Sequence, residues 1–322
     1  MSNDPVELIS GKITQSQRIA ITSHLRPDGD SLCTSLALYF MGIQLGKDMA
    51  IFNKDNTPFP FDRYPDIENI QIGQLAPQKF DAVILLECAN VDRSGQLNID
   101  SYFKINIDHH YSNDYYADIN WVEPKASAVS EMAVKLAKKI KAKITPQIAN
   151  HLYCGIVSDT GSFQFSNTNA DAFKSCYELV TLGASPITVS EHLFNNNPPE
   201  KIKLLGNVLS TLQMNKTGEI AVITMFKEHL DNLNLREIDT EDITTLTRSI
   251  KGVKTVLFFK EMTENTFRVS IRSKGSANAA MIAEYYGGGG HRHAAGFTVT
   301  GIHEKLIQDI PKKVRELLKT QP

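Results

Sequence analysis

An α/β fold in two domains is what the sequence predicts: a first domain with a largely parallel sheet flanked by helices, then a smaller C-terminal α/β domain. Three observations predict it. Short apolar runs alternate with helix-period segments over roughly 190 residues, the pattern of βαβ units. At 322 residues the chain is long enough for two separate cores. The stretch Asn195-Asn196-Asn197-Pro198-Pro199 interrupts the pattern and reads as a boundary. The expected division is residues 1–194, a bridging segment over 195–214, and residues 215–322.

Arg18–Ser23 reads as the first strand, followed by a polar loop and a helix from about Ser31 to Leu45. Met49–Phe52, Phe80–Leu86 and Tyr102–Ile107 read as further buried strands. Val129, Met132, Ala133, Leu136 and Ile140 recur at helical spacing and predict a helix over Ser127–Ile140. Pro146 suits the first turn of the next helix, expected to end at Ile156 or Val157. Asn169–Leu182, stopped by Gly183, is one more. A helix over Glu200–Met214 would bridge the domains. The second domain then reads as strand Ile220–Met225, helix Thr240–Ile250, and strands Thr255–Lys260 and Thr266–Arg272 with a hairpin turn over Glu261–Asn265. Helix Ala279–Tyr286, a glycine run, strand Gly296–Thr300 and helix His303–Leu318 complete it.

Composition is that of an ordinary globular protein, and no apolar stretch approaches the roughly 18–20 residues of a membrane span. Residues 1–11 carry acidic side chains and no basic one before an apolar stretch, unlike a signal peptide. Cys33, Cys88, Cys154 and Cys176 are widely spaced among apolar neighbours, which predicts buried free thiols in a reducing cytoplasm. Residues 1–200 carry 16 Lys and Arg against 23 Asp and Glu; residues 201–322 carry 18 against 13. An acidic half suited to cations thus precedes a basic half suited to phosphate.

Four polar segments stand where apolar runs end: His24-Leu25-Arg26-Pro27-Asp28-Gly29-Asp30, Glu87, Asp108-His109-His110, and Asp159. In a parallel sheet, ligands gather at the carboxyl ends of strands, where all four are expected. Three of them have a plain alternative. Asp30 would serve as a helix N-cap, the histidine pair as a hydrogen-bonded loop, and Asp159 as part of a local turn. Glu87 resists such a reading, because an unpaired carboxylate at a buried strand end is costly. If the segments converge, the carboxylates need compensating positive charge. Two divalent cations would supply it, and the imidazoles favour Mn²⁺ over Mg²⁺. Two such metals roughly 3.5–4 Å apart suit phosphoester hydrolysis.

A second set of signals lies near the C-terminus. Gly287-Gly288-Gly289-Gly290 offers backbone N–H groups at close range to a phosphate, with His291 and Arg292 adjoining. Arg272 can clamp a phosphate through two parallel hydrogen bonds, which Lys274 cannot. The alternatives are a flexible loop and a solvated strand residue. Tyr285, Tyr286 and Phe297 could stack a base or belong to the core.

Together these motifs resemble the DHH phosphoesterase superfamily, named for the triplet seen here at Asp108-His109-His110. The first segment looks like its H-x-x-P-D-x-D motif, and Gly155–Phe163 looks like G-I-x-x-D-T-G-x-F. The glycine run through Phe297 resembles the G-G-G-H-x-x-A-G signature of the DHH-associated C-terminal domain, and Ser270–Ser273 its S-x-R-S segment. Within the superfamily the chain is most similar to the NrnA group of nanoRNases and 3′-phosphoadenosine-5′-phosphate phosphatases.

The resemblance implies two Mn²⁺ ions, one bound by His24 and Asp28, the other by Asp30, His109 and Asp159, with Glu87 bridging. It implies that His110 contacts the scissile phosphate and that Asp108 orients a histidine. Arg272, Ser273, Gly289, Gly290 and His291 would hold substrate across a cleft between the domains. Glu87 departs from the family's usual Asp by one methylene, which leaves the metal spacing open. The implied activity is release of 5′-mononucleotides from oligoribonucleotides, with 3′-phosphoadenosine 5′-phosphate a further substrate, in a cytoplasmic enzyme compatible with a homodimer. A linear or cyclic dinucleotide phosphodiesterase is the alternative. A RecJ-like single-strand exonuclease and a non-catalytic nucleotide-binding regulator rank below it.

Overall fold

The computed structural model describes residues 4–75, 80–233, 235 and 240–319. The chain divides into two compact units, Met1–Asn196 and Asn197–Pro322.

The first unit opens with helix α1 (Pro5–Gln15), capped by the Asp4 side chain accepting from the Val6 N–H. Strand β1 (Arg18–Ser23), helix α2 (Gly29–Gln44), and strands β2 (Asp48–Asn53), β3 (Ile70–Ile72), β4 (Ala82–Leu86), β5 (Lys104–Asp108) and β6 (Ile119–Val122) follow. Helices α3 (Val129–Lys139), α4 (Pro146–Asp159), α5 (Ala170–Thr181) and α6 (Pro186–Phe194) close the unit. The six strands form a parallel sheet in the order β3-β2-β1-β4-β5-β6. Strand order reverses between β1 and β4, which makes their carboxyl ends the place where an open α/β sheet leaves a crevice.

Alternation along the strands sorts the core into two layers. Ile19, Ile21, Ile84, Leu86, Ile105 and Ile107 join a large cluster with Leu32, Leu36, Val129, Met132, Leu136, Ile148 and Leu152 from the helices. Ala20, Val83 and Leu85 face a smaller cluster with Leu75, Cys88, Ile99 and Tyr102. All four cysteines are buried free thiols.

Several elements differ from the sequence expectation. The N-cap of α2 is Asp28, two residues earlier than Asp30, because Asp28 and Ser31 bond reciprocally in a capping box. Asp159 closes helix α4 rather than following a strand. That helix runs two residues past Val157, and Gly155 lets it lie close against Asp30 and Ser130. The edge strands β3 and β6 and the helices α1 and α6 have no counterpart in the sequence expectation.

The second unit contains helix α7 (Pro199–Ser210), strands β7 (Gln213–Met214) and β8 (Ile220–Met225), and helices α8 (Lys227–Asp231) and α9 (Glu241–Arg248). Strands β9 (Thr255–Thr263) and β10 (Thr266–Ser273), helix α10 (Ala279–Tyr285), strands β11 (Gly289–His291) and β12 (Ala294–Thr300), and helix α11 (His303–Lys319) complete it. Its sheet runs β11-β12-β10-β9-β8-β7, with β8 and β9 parallel and the other pairs antiparallel. The expected bridging helix stops at Ser210, since Gln213–Met214 pair with β8. The glycine run is not wholly a loop: Gly289 and Gly290 pair with Gly296 and Ala295 in β11. A Cβ at Gly290 would lie 2.5 Å from the Ala295 Cα, so only glycine fits that pairing.

Candidate active site

The carboxyl ends of β1, β4 and β5, the start of α2 and the end of α4 bring together every metal ligand expected in the first unit. Two triads of ligand atoms result, each with its atoms within 4.8 Å of one another: His24, Asp28 and Glu87, then Asp30, Glu87 and His109. Glu87 belongs to both. His24 Nε2 lies 3.5 Å from Asp28 Oδ2 and 3.7 Å from Glu87 Oε2. His109 Nε2 lies 3.7 Å from Asp159 Oδ2, which adds that carboxylate to the second group.

Local structure explains the convergence. The His24 Nδ1 atom bonds the Leu25 carbonyl at 2.9 Å, which turns Nε2 toward the carboxylates. His109 is oriented the same way by the Ala126 carbonyl at 3.1 Å. Asp30 is buried at the N-terminus of α3, accepting from the Val129 N–H at 2.5 Å, the Ser130 N–H at 2.9 Å and the Thr34 hydroxyl at 3.1 Å. The helix N-terminus thus stabilises its negative charge. Asn167 donates to Asp159 at 3.0 Å. A Cβ on Gly29 would meet Ser158 Oγ at 2.2 Å, and one on Gly155 would meet Ser130 Oγ at 2.0 Å. Those two glycines let α2, α3 and α4 meet closely enough for Asp30 and Asp159 to share one site.

Glu87 is the unusual member. Its φ of +56° lies in the left-handed region, which costs a non-glycine residue energy. Its N–H donates to the Ile107 carbonyl at 3.1 Å, so the strained turn is anchored to β5. The side chain is buried, and Oε1 has no hydrogen-bond partner. An orphaned buried carboxylate oxygen amid three further carboxylates and two imidazoles is the mark of a cation site.

Electrostatics agree. Burial, then the charges of Asp28, Asp30 and Asp159, push the Glu87 carboxyl well above the usual range. Burial and Asp30 raise Asp159 to about 7, against the opposing pull of His109. Burial alone would lower His24 and His109, but Asp28 reverses this for the first and Asp159 for the second, and both end raised. Asp28 goes down, to about 2: desolvation pushes it up, but the His24 bond and charge, with Ser31, outweigh it. The crowding of carboxylates thus favours bound positive charge, as protons or as cations, at Glu87 and Asp159.

Asp108 takes a different part. It is fully buried, and its Oδ1 accepts from the His109 N–H at 2.7 Å, the His110 N–H at 3.1 Å and His110 Nδ1 at 2.6 Å. Burial pushes its carboxyl up, but the His110 bond and charge, followed by the Asn113 bond, hold it below the usual range. It orients His110, whose side chain is 44% exposed beside the ligand cluster.

In the second unit, Arg272 and Ser273 end β10, next to the Ala294 end of β12. The Ser273 hydroxyl is buried, donating to the Ala277 carbonyl at 2.8 Å and lying 3.2 Å from His293 Nδ1. It braces the loop rather than presenting a donor. Gly289 and Gly290 lie in β11; the His291 side chain falls outside the described residues. Tyr286 stacks on the buried Phe297 ring at 4.4 Å and belongs to the core, whereas Tyr285 is exposed beneath Lys313.

Residues 18–156 match the DHH family, N-terminal domain, and residues 205–320 match the DHHA1 domain. The chain is 32% identical over 304 residues to the bifunctional oligoribonuclease and PAP phosphatase NrnA of Thermus thermophilus, covering 93% of this chain and 90% of that protein. It is 28% identical to the protein of the same name from Bacillus subtilis, covering 92% of this chain and 95% of that one. Its backbone resembles the crystal structure of an exopolyphosphatase-related protein from Bacteroides fragilis, with a TM-score of 0.89 at 24% identity over 99% of this chain and 98% of that chain.

Proposed function

The chain belongs to the DHH family, and on that premise we propose that it is a two-metal phosphohydrolase of short nucleic acids. It releases 5′-mononucleotides from oligoribonucleotides and removes the 3′-phosphate of 3′-phosphoadenosine 5′-phosphate. The observation that carries the reading is the pair of ligand triads sharing the orphaned Glu87 carboxylate. His24 and Asp28 would hold one cation, Asp30, His109 and Asp159 the other, with Glu87 between them. Two divalent cations bound there supply Lewis-acid charge for the phosphate and acidify water. The mixed imidazole and carboxylate donors favour Mn²⁺.

The chain's own groups do the remaining work. His110, held by Asp108, contacts the scissile phosphate through its outer nitrogen. Residues 1–194 act as the catalytic domain and residues 215–322 as the substrate-binding domain, joined by 195–214. In the latter, Arg272, the Gly289-Gly290 backbone and His291 take a second phosphate, with Ser273 bracing the loop. The names of the Thermus and Bacillus relatives support both substrates. No described helix is long and apolar enough to cross a membrane.

Turnover with Mn²⁺ should be measured in parallel on a labelled dinucleotide, an RNA 24-mer, pyrophosphate and 3′-phosphoadenosine 5′-phosphate. The expected result is rapid hydrolysis of the dinucleotide and of the 3′-phosphate, with the 24-mer much slower. No turnover of any substrate sinks the enzyme reading; equal rates on dinucleotide and 24-mer sink the length preference.

A further inference from the structure

The loop after β5 returns a side chain to the site that no motif marks. Asn113 is buried, and its Nδ2 donates to Asp108 Oδ2 at 2.5 Å. The same amide nitrogen lies 3.2 Å from Asn106 Oδ1 and 3.4 Å from the Cys88 carbonyl. Asn106, fully buried on β5, donates in turn to the Cys88 carbonyl at 2.7 Å and to the Tyr116 hydroxyl at 2.6 Å. Asn113 Oδ1 accepts from the Tyr115 N–H at 2.8 Å, and the Asp114 N–H donates to the Ala89 carbonyl at 2.8 Å. The loop is thus pinned to the ends of both β4 and β5.

This arrangement divides the two oxygens of Asp108 between two tasks. Oδ1 faces the His110 ring and the backbone of the histidine pair, while Oδ2 has Asn113 as its side-chain donor. A carboxylate bonded at both oxygens cannot rotate about its terminal torsion without breaking a bond to a buried group, which is costly. Its Oδ1 therefore stays in place for His110 Nδ1, and the ring is kept in the form that has Nδ1 protonated. Nε2 is then the nitrogen available to substrate.

We propose that Asn113 is a positioning residue for His110, acting through Asp108. The proposal rests on the phosphohydrolase reading for its kinetic consequence, but not for its structural one. Asn113→Ala frees Asp108 Oδ2, lets the carboxylate rotate, and loosens the His110 ring. Outer partners of this kind are worth about 10- to 100-fold. A fall of at least about 10-fold in kcat is expected, with KM and Mn²⁺ affinity within about twofold of wild type. Asn113→Asp keeps the shape but sets an acceptor against Asp108, and should show the same loss if the alanine variant folds poorly.

Two readouts separate positioning from general support of the fold. The first is nitrogen-15 NMR of the full chain with labelled histidine in EDTA, with His110 assigned from a His110→Gln variant. Wild type should show a downfield Nδ1 proton from the Asp108 bond, and Asn113→Ala should lose it or shift it strongly upfield. The second is a double-mutant cycle with Asp108→Asn, in which the double variant should match Asp108→Asn alone within about twofold. An unchanged Nδ1 signal in the Asn113 variants, or fully additive losses in the cycle, overturns the proposal. Should wild type turn over no substrate, the phosphohydrolase reading fails while the NMR comparison still decides the role of Asn113.

Discussion

Replacing Glu87 by glutamine should move the metal-free and metal-loaded proteins in opposite directions. In the metal-free chain the Glu87 carboxyl is buried, Oε1 lacks a partner, and the charges of Asp28, Asp30 and Asp159 oppose its ionisation. An amide of the same shape never has to ionise and offers N–H donors to the surrounding carboxylates. An unsatisfied buried polar group costs about 1–3 kcal/mol. For a unit of Met1–Asn196, each 1 kcal/mol is worth roughly 2–4 °C in Tm. At pH 8 in EDTA the variant should therefore melt about 2–12 °C above wild type. With Mn²⁺ the order should reverse, because the shared ligand of both triads is gone, and turnover should fall by more than the roughly 100-fold typical of an outer-shell change. Calorimetry in EDTA and in saturating Mn²⁺ reads both signs in one pair of scans. A variant less stable than wild type in EDTA, or stabilised by Mn²⁺ as strongly as wild type, refutes the reasoning.

Further outcomes follow from the same geometry. The metal-free chain should lose stability as pH rises between about 4 and 7: the folded state keeps protons on Asp159, at about 7, and on the raised Glu87, His24 and His109 that the unfolded chain releases earlier. Melting in EDTA at pH 5 and pH 8 checks this, and Mn²⁺ should cancel the slope. Gly155→Ala sets a Cβ 2.0 Å from Ser130 Oγ and 2.7 Å from Asp30 Oδ1; it should cost about 1–3 kcal/mol and weaken Mn²⁺ binding, read by calorimetric titration. Arg272→Ala should mainly raise KM for substrates that carry a second phosphate and leave kcat within a few-fold. Wild-type kinetics on all of them would place the phosphate grip elsewhere.

What was legible in the sequence follows from where each signal resides. Strands β1 and β8 match the sequence reading to the residue, each being buried over at least five successive positions. Strand β3 could not, since only Ile70 of its three residues is buried and the sheet edge imposes no pattern. The candidate metal ligands are readable as isolated carboxylates and imidazoles, whose grouping the structure accounts for. Asp159 is legible as a residue but not as a helix end, because an apolar pattern places a helix end only to within a few residues. The glycine run looked like a loop because a strand containing several glycines has no local propensity; the pairing with β12 supplies it. Asn113 carried no signal at all: a loop asparagine three residues after His110 acquires meaning only when the chain folds it back onto Asp108.

In the proposed site two cations share Glu87. Anomalous diffraction at the manganese edge from crystals grown with Mn²⁺ tests it most directly. The account predicts two peaks roughly 3.5–4 Å apart, one against His24 and Asp28, the other against Asp30, His109 and Asp159, with Glu87 touching both. A single peak, or two peaks of which one lies beyond reach of Glu87, would contradict it.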